Sequence, residues 1–167
     1  MVPRTVFEDG GALIAIERNL VFLVQRERPT SDHLRALRLA YDAALAAHPD
    51  GVALLMVVTS QHWMPAFSDE LREETAKLVR GTETGSLGSA FVLGGRGLFS
   101  STLRAFLSTL FLVAGSREPY AVFADVESAA PWLAGVASRS APWRVEDVLK
   151  ASQRVLLDAH VGSAARH

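Results

Sequence analysis

Two hydroxyl groups and an imidazole stand close together in this chain, at Thr59, Ser60 and His62. They lie at the end of an apolar run, Gly51–Ser60, that is typical of a buried central strand, and open α/β sheets bind ligands at the carboxyl ends of such strands. A serine nucleophile on a strand-to-helix turn needs nearby glycines, and both are absent around Ser60. Since no second base or orienting acid can be assigned, the alternatives are a ligand site and a plain Ser/Thr turn with a solvent-facing histidine.

A second segment that could do chemistry is Gly94–Ser100, where glycines precede an apolar helical pattern. The backbone N–H groups around Gly95 and Gly97, together with a helix start at Ser100, could hold a phosphate group. The dinucleotide-binding form of this motif belongs to the first strand of a longer parallel unit, and the first acid at a strand end here is Asp125, late for a ribose contact. We favour the alternative, a tight turn that lets the helix pack closely on the sheet.

The connection after the apolar run carries large apolar side chains at Trp63, Met64 and Phe67. Loops tend to be polar, so these side chains either plug the end of the core or line an apolar cleft near the helical segment Leu98–Ala114. The predicted site for a partner or ligand therefore comprises Thr59, Ser60, His62, Trp63, Met64 and Phe67.

The sequence shows no pattern typical of a metal site, a cofactor site or a nucleic-acid-binding surface. The five histidines are His33, His48, His62, His160 and His167. They show no paired metal spacing, and there is no cysteine to supply a thiolate or a disulfide. Glu70, Glu73 and Glu74 are typical of a solvated helix face. A net charge of -1, from 17 basic and 18 acidic residues, does not attract a phosphate backbone. We expect no metal, no cofactor and no nucleic-acid partner.

The elements that must position these residues alternate between strands and helices. Ala12–Glu17 and Leu20–Gln25 predict an antiparallel hairpin, in which Asn19 tolerates the left-handed backbone of a two-residue turn. Pro131 is tolerated only in the first turn of a helix, which places that helix start near Glu127 or Ser128. The remaining patterns predict helices over residues 31–47 capped by Thr30 or Ser31, Asp69–Arg80 capped by Ser68, Leu98–Ala114 and about 144–160, and strands over Val52–Val58, Ser89–Leu93 and Tyr120–Phe123.

The order of elements predicts an α/β fold with a mainly parallel five-stranded sheet, an N-terminal antiparallel hairpin, four covering helices and an extra C-terminal helix. With 167 residues, 49% of them hydrophobic, the chain is long enough to bury about two thirds of its unfolded surface in one core. We expect one domain over residues 10–137, an appended amphipathic helix over 143–160 and a polar tail over 161–167.

The chain has the features of a soluble, cytoplasmic protein. Glu8 and Asp9 stand where a secretory signal would need an apolar core. The most apolar segment, Leu98–Ala114, is short for a membrane span and carries Arg104 near its middle. We therefore expect no transmembrane segment.

Several of these features together resemble a known family. They are the opening hairpin, the apolar strand Val52–Val58, the glycine-ended strand Ser89–Gly95, the long apolar helix and the closing stretch Tyr120–Leu133 with its Ala-x-x-Trp-Leu ending. Over roughly residues 10–136 the chain resembles a STAS-like domain, and more narrowly the SpoIIAA-like bacterial branch related to anti-sigma-factor antagonists.

The resemblance implies a non-enzymatic module that binds protein partners, small hydrophobic ligands or nucleotides. In the antagonists a serine of an Asp-Ser-Ser-Gly-like stretch after a central strand is phosphorylated. Here Ser60 is the nearest positional match, but Thr59 precedes it and Gln61 follows it.

We therefore expect a regulatory or scaffolding module that binds a partner protein, with a homodimer through the C-terminal helix as a further expectation. The alternative is a binder or sensor of a lipid-like ligand in a cleft under Leu98–Ala114. A third reading, an enzyme acting on a nucleotide phosphate through residues 94–100, is the weakest of the three.

Overall fold

A computed structural model of the chain describes residues 2–60, 68–93 and 98–165, with the backbone alone at 98–100 and 103. Its strands are β1 (Arg4–Glu8), β2 (Ala12–Glu17), β3 (Leu20–Gln25), β4 (Val52–Val58), β5 (Ser86–Leu93) and β6 (Tyr120–Phe123). Its α-helices are α1 (Ser31–Ala47), α2 (Asp69–Thr82), α3 (Leu98–Ala114), α4 (Val126–Ala137) and α5 (Val145–Ala164).

The six strands form one sheet, and each strand lies beside its neighbours in the chain from β1 to β6. β1, β2 and β3 pair in antiparallel fashion, whereas β3, β4, β5 and β6 are parallel. The predicted α/β fold with a hairpin and a parallel sheet is confirmed, and β4 is an interior strand with a parallel neighbour on each side. β1 is an additional, largely exposed edge strand, which explains why no apolar pattern marks it.

Both faces of the sheet are buried, as the sequence of β3 illustrates. Phe22 and Val24 lie in the core on one face, whereas Val21 and Leu23 lie in the core on the other. Such a strand reads as a continuous apolar run because successive side chains point to opposite faces and both faces are covered. Helices therefore form a layer on each side of the sheet.

The helices divide between the two faces according to how they connect the strands. α1, α2 and α3 are the crossovers of the parallel strands, and all three pack on one face. Right-handed crossovers that advance in one direction along a sheet place their helices on the same side. α4 and α5 follow the last strand and pack together on the opposite face.

Side-chain caps mark where three helices begin. Thr30 accepts a hydrogen bond from the N–H of His33 at 3.2 Å, and Ser68 accepts one from the N–H of Leu71 at 3.2 Å. Both caps agree with the sequence prediction. Asp125 caps α4 by accepting from the N–H of Ser128 at 2.7 Å, so that this helix begins earlier than the sequence predicts.

The earlier start of α4 corrects the prediction about Pro131, which lies inside the helix in its second turn and not in its first. A proline there cannot donate to the carbonyl of Glu127, four residues before it. Both residues lie on the exposed side of α4. Water can therefore bond to the unpaired carbonyl, and the opposite side of the helix, with Ala130 and Leu133, stays fully buried.

Two further predictions need correction. At the β2–β3 turn it is Arg18, and not Asn19, that has a positive φ of 51°. The strand predicted over Ser89–Leu93 begins three residues earlier, at Ser86. Gly88 has a φ of +153°, and a Cβ on it would lie 3.0 Å from the Trp132 ring, so only glycine fits this close approach.

α5 is an integral part of the layer it joins. Its residues Val148, Ala151 and Val155 are buried, and they pack with α4 and with strands β2 and β3. The opposite side of the helix exposes Leu157 and Val161 to solvent. Among the described helices, none combines the length and the apolar character that a membrane span requires.

Candidate functional site

Thr59 and Ser60 come directly after β4, at the carboxyl edge of the parallel strands. The N–H of Thr59 donates to the carbonyl oxygen of Gln25 at 3.0 Å, and its hydroxyl lies 3.4 Å from the same oxygen. Thr59 is exposed and Ser60 is half-buried. Thr59 thus extends the pairing of β4 with β3 by one residue.

Most of the other residues predicted for a site lie outside the described part of the chain. This holds for His62, Trp63, Met64, Phe67, Gly95 and Gly97, and at Ser100, in the first turn of α3, the backbone alone is described. The strands that precede these segments are direct neighbours, because Val58 at the end of β4 pairs with Leu93 at the end of β5. Both predicted segments therefore start from the same edge of the sheet.

The carboxyl edge also carries a polar cluster that sequence reasoning did not identify. His33 is 4% exposed, and its Nε2 lies 2.8 Å from Oδ2 of Asp9. Its Nδ1 lies 3.1 Å from Nε2 of Gln25 and 3.3 Å from the N–H of Thr30. Since those two groups are donors, Nδ1 is the acceptor and Nε2 carries the hydrogen that is donated to Asp9.

This cluster holds three elements together and leaves neither ring nitrogen free for proton transfer. Burial raises the pKa of Asp9, but hydrogen bonds from His33 and from the N–H groups of Ala12 and Gly11 outweigh it and hold the pKa below its usual value. Asp9 precedes β2, Gln25 ends β3 and His33 lies in α1. The arrangement therefore ties these three parts of the chain together at the carboxyl edge of the sheet.

An apolar cavity of about 110 Å³ lies between the sheet and helices α1, α2 and α3. Residues from every one of these elements line it, among them Leu37, Met56, Val79, Phe91, Leu107 and Leu110. Its place beneath α3 is where the sequence analysis put the cleft for a lipid-like ligand. The apolar lining suits a hydrocarbon chain or ring.

One end of the cavity, near the amino edge of the parallel strands, is polar. Tyr41, Thr82, Ser89 and Glu118 lie there. The Tyr41 hydroxyl donates to the carbonyl oxygen of Thr82 at 3.1 Å, and the Ser89 hydroxyl donates to the carboxylate of Glu118. Burial raises the pKa of Glu118, although hydrogen bonds from Ser86 and Ser89 oppose that shift. The cavity thus joins an apolar body to a small group of oxygen atoms.

A wider groove of about 720 Å³ runs between α2 and α3 on the outside of the same layer. Phe106 and Leu110 line both the groove and the cavity, so these two side chains form the wall between them. Arg72 and Arg80 stand on the α2 side of the groove, and Val113, 66% exposed, stands on the α3 side. The groove could receive a partner, and the cavity could receive a small molecule.

Within residues 2–60, 68–93 and 98–165, no three histidine or carboxylate side chains gather where they could hold a metal ion. No protein-family model matches the sequence, and no curated protein and no solved structure is significantly similar to it. The resemblance to STAS-like domains accordingly stays a prediction, and the coordinates establish an α/β fold with a six-stranded mixed sheet.

Proposed function

We propose that the protein binds a small apolar molecule in the cavity beneath α3. The observation that supports this proposal is the cavity itself, about 110 Å³ of space with an apolar lining between the sheet and helices α1, α2 and α3. Protein interiors leave few voids larger than a water molecule, so an apolar space of this size is a candidate ligand site.

The size of the cavity indicates what it could hold. Apolar cavities of about 150 Å³ in other proteins stay dry and bind benzene. A volume of about 110 Å³ suits a single ring or a short alkyl chain. Contacts from Leu107, Leu110 and Phe111 of α3, all at most 7% exposed, would then replace those missing around the empty space.

A matched pair of substitutions on α3 tests this proposal. Leu107 lines the cavity and is 5% exposed, whereas Leu112 faces solvent and is 80% exposed. We expect Leu107→Phe to weaken the binding of benzene or toluene at least tenfold, because the added ring takes the volume of the ligand. Leu112→Phe should bind as the wild type does. Ligand-observed NMR measures both affinities, and circular dichroism checks that each variant is folded.

Native mass spectrometry of the purified protein adds an independent readout. A co-purified small molecule should be present on the wild type and on Leu112→Phe, and missing from Leu107→Phe. The proposal is wrong if the wild type takes up neither a cellular molecule nor an added aromatic hydrocarbon.

Binding of a partner protein, as expected of a STAS-like module, is the second candidate function. The groove between α2 and α3 favours it, because Val113 is exposed beside that groove. Its rim carries Arg72, Glu73 and Arg80, of which Arg72 also pairs with Asp69 at 3.8 Å. Interfaces commonly combine an apolar centre with a polar rim. A protein that presents an apolar side chain flanked by a carboxylate would fit this surface.

Two substitutions of nearly equal exposure separate this surface from the C-terminal helix. Val113 on α3 is 66% exposed, and Val161 on α5, on the opposite face of the sheet, is 65% exposed. We expect Val113→Asp to abolish the recovery of a partner in a pull-down and Val161→Asp to leave it intact. If only Val161→Asp disrupts an assembly, the interface lies on α5, as expected of a homodimer through that helix. Recovery that neither substitution changes would contradict the groove as the docking surface.

A further inference from the structure

The polar end of the cavity contains a carboxylate, Glu118, that accepts hydrogen bonds from the hydroxyls of Ser86 and Ser89 on β5. Glu118 lies in the segment between α3 and β6, and its side chain is partly buried at the cavity wall. It receives a hydrogen bond from the hydroxyl of Ser89, which is 4% exposed. A structural acid at such a position is normally paired with a cation.

No such cation is present among the residues that the structure describes. The ion pairs of the described residues do not include Glu118. The nearest charge that influences it is another acid, Glu83, whose carboxylate accepts a hydrogen bond from the N–H of Arg117 at 2.9 Å. Burial raises the pKa of Glu118, and the charge of Glu83 raises it further. A cation placed beside Glu118 would be attracted by both carboxylates.

Further oxygen atoms lie beside Glu118 and match a group with several donors. The Tyr41 hydroxyl donates to Thr82 and is also hydrogen-bonded to Ser86, which leaves its oxygen one further lone pair as an acceptor. The Ser89 oxygen also has acceptor capacity. A primary ammonium group has three donors and no acceptor. It could donate to Glu118 and to neighbouring oxygens at the same time.

We infer that the ligand of this cavity carries a protonated amine, which pairs with Glu118 while its apolar body lies against Leu107 and Leu110 of α3. This inference rests on the proposed function, since it names the class of molecule that the cavity takes. A carboxylate on the same apolar body would be repelled by Glu118 and Glu83. An alcohol would donate one hydrogen bond to the carboxylate, but it lacks both the positive charge and the two further donors of an ammonium group.

Three probes with one apolar body test the inference: benzylamine, benzyl alcohol and benzoate. Isothermal titration calorimetry at neutral pH should rank benzylamine at least tenfold tighter than benzyl alcohol, because an ion pair with hydrogen bonds replaces neutral contacts. Benzoate should bind weakest. Equal affinity for the amine and the alcohol, or a preference for benzoate, would overturn the inference.

Glu118→Gln keeps the shape of the side chain and removes its charge. We expect this variant to lose the preference for benzylamine and to keep the affinity for benzyl alcohol. Glu127→Gln is the matched control, because Glu127 is exposed on α4 on the other face of the sheet, and it should retain the wild-type ranking.

The outcomes separate this inference from the proposed function. If benzyl alcohol binds and the amine has no advantage, the cavity is a ligand site but does not select amines. If none of the three probes binds the wild type, and benzene does not bind either, the proposed function and the inference are both wrong. An amine preference that survives in Glu118→Gln would place the recognition of the cation elsewhere.

Discussion

Replacing Asn19 by alanine is expected to lower the free energy of unfolding by about 3 kcal/mol or more. Asn19 is fully buried, and its Nδ2 donates to the carbonyl oxygens of Gly51 at 3.2 Å and Ala137 at 2.9 Å. Its Oδ1 accepts from Nε1 of Trp143 at 2.9 Å. Alanine would take this partner from Nε1 of Trp143 and from the carbonyl oxygen of Gly51, each at about 1–3 kcal/mol. The carbonyl oxygen of Ala137 also accepts from the N–H groups of Ser140 and Ala141 and keeps those bonds.

The loss matters because these bonds join parts of the chain that are far apart in sequence. Asn19 lies in the β2–β3 turn, Gly51 precedes β4, Ala137 ends α4 and Trp143 precedes α5. The guanidinium of Arg18 lies 4.4 Å above the Trp143 ring and donates to the carbonyl of Pro142, so the turn is held to the same linker a second time. The network therefore connects the layer of α4 and α5 to the β2–β3 turn and to the residue before β4.

Urea unfolding monitored by circular dichroism measures the effect of Asn19→Ala. Trp143→Phe is the comparison, because it removes the Nε1 donor together with part of the buried ring and should cost about 1–3 kcal/mol. The double variant should lose less than the sum of the two single losses, since the two side chains share a hydrogen bond. A loss below about 0.5 kcal/mol for Asn19→Ala would show that water replaces its bonds, contrary to the burial seen here.

Removal of α5 by truncation after residue 142 is expected to abolish cooperative folding. Val148, Ala151 and Val155 of α5 cover Leu13, Phe22 and Val24 of the sheet in one core cluster. Burial of one Val, Leu or Phe side chain is worth about 1.5–3 kcal/mol, and a domain is stable by only about 5–15 kcal/mol. Exposure of this sheet face therefore costs more than the total free energy of unfolding of such a domain.

Heteronuclear NMR and thermal unfolding of the truncated chain check this expectation. The spectrum should lose its dispersion, and no unfolding transition should remain. A chain that lacks only residues 165–167 is the control and should unfold as the full chain does, because these residues follow the end of α5. A truncated chain at residue 142 that still unfolds cooperatively would mean that α5 is dispensable for the core.

Local sequence signals predicted most of the secondary structure. Strands β2, β3 and β4 and helix α3 have the predicted bounds, and Thr30 and Ser68 cap α1 and α2 as expected. These signals are local because the period of apolar side chains and the capping bonds involve residues within about four positions of one another. The predicted start of α4 was wrong because long-range packing overrides local preference there. The burial of Ala130 and Leu133 holds α4 together although Pro131 lies inside the helix.

The role of Asn19 shows what a local signal misses. An Arg-Asn pair between two apolar runs predicts a turn, and the turn is present. The sequence cannot show that Asn19 faces inward, because its three partners lie 32, 118 and 124 residues away. Arg18 adopts the left-handed backbone conformation instead, and its guanidinium lies over the Trp143 ring.

The sequence by itself determined the alternation of helices and strands, the interior position of β4 and the apolar character of α3, because each follows from side-chain periodicity. Only the tertiary structure decided that Glu118, 29 residues from Ser89, lies with it at the end of a cavity. Side chains from α1, α2, α3 and the sheet enclose that space, and their distances depend on how the helices pack across the strands. A cavity is the volume that this packing leaves unfilled, and no stretch of sequence contains it.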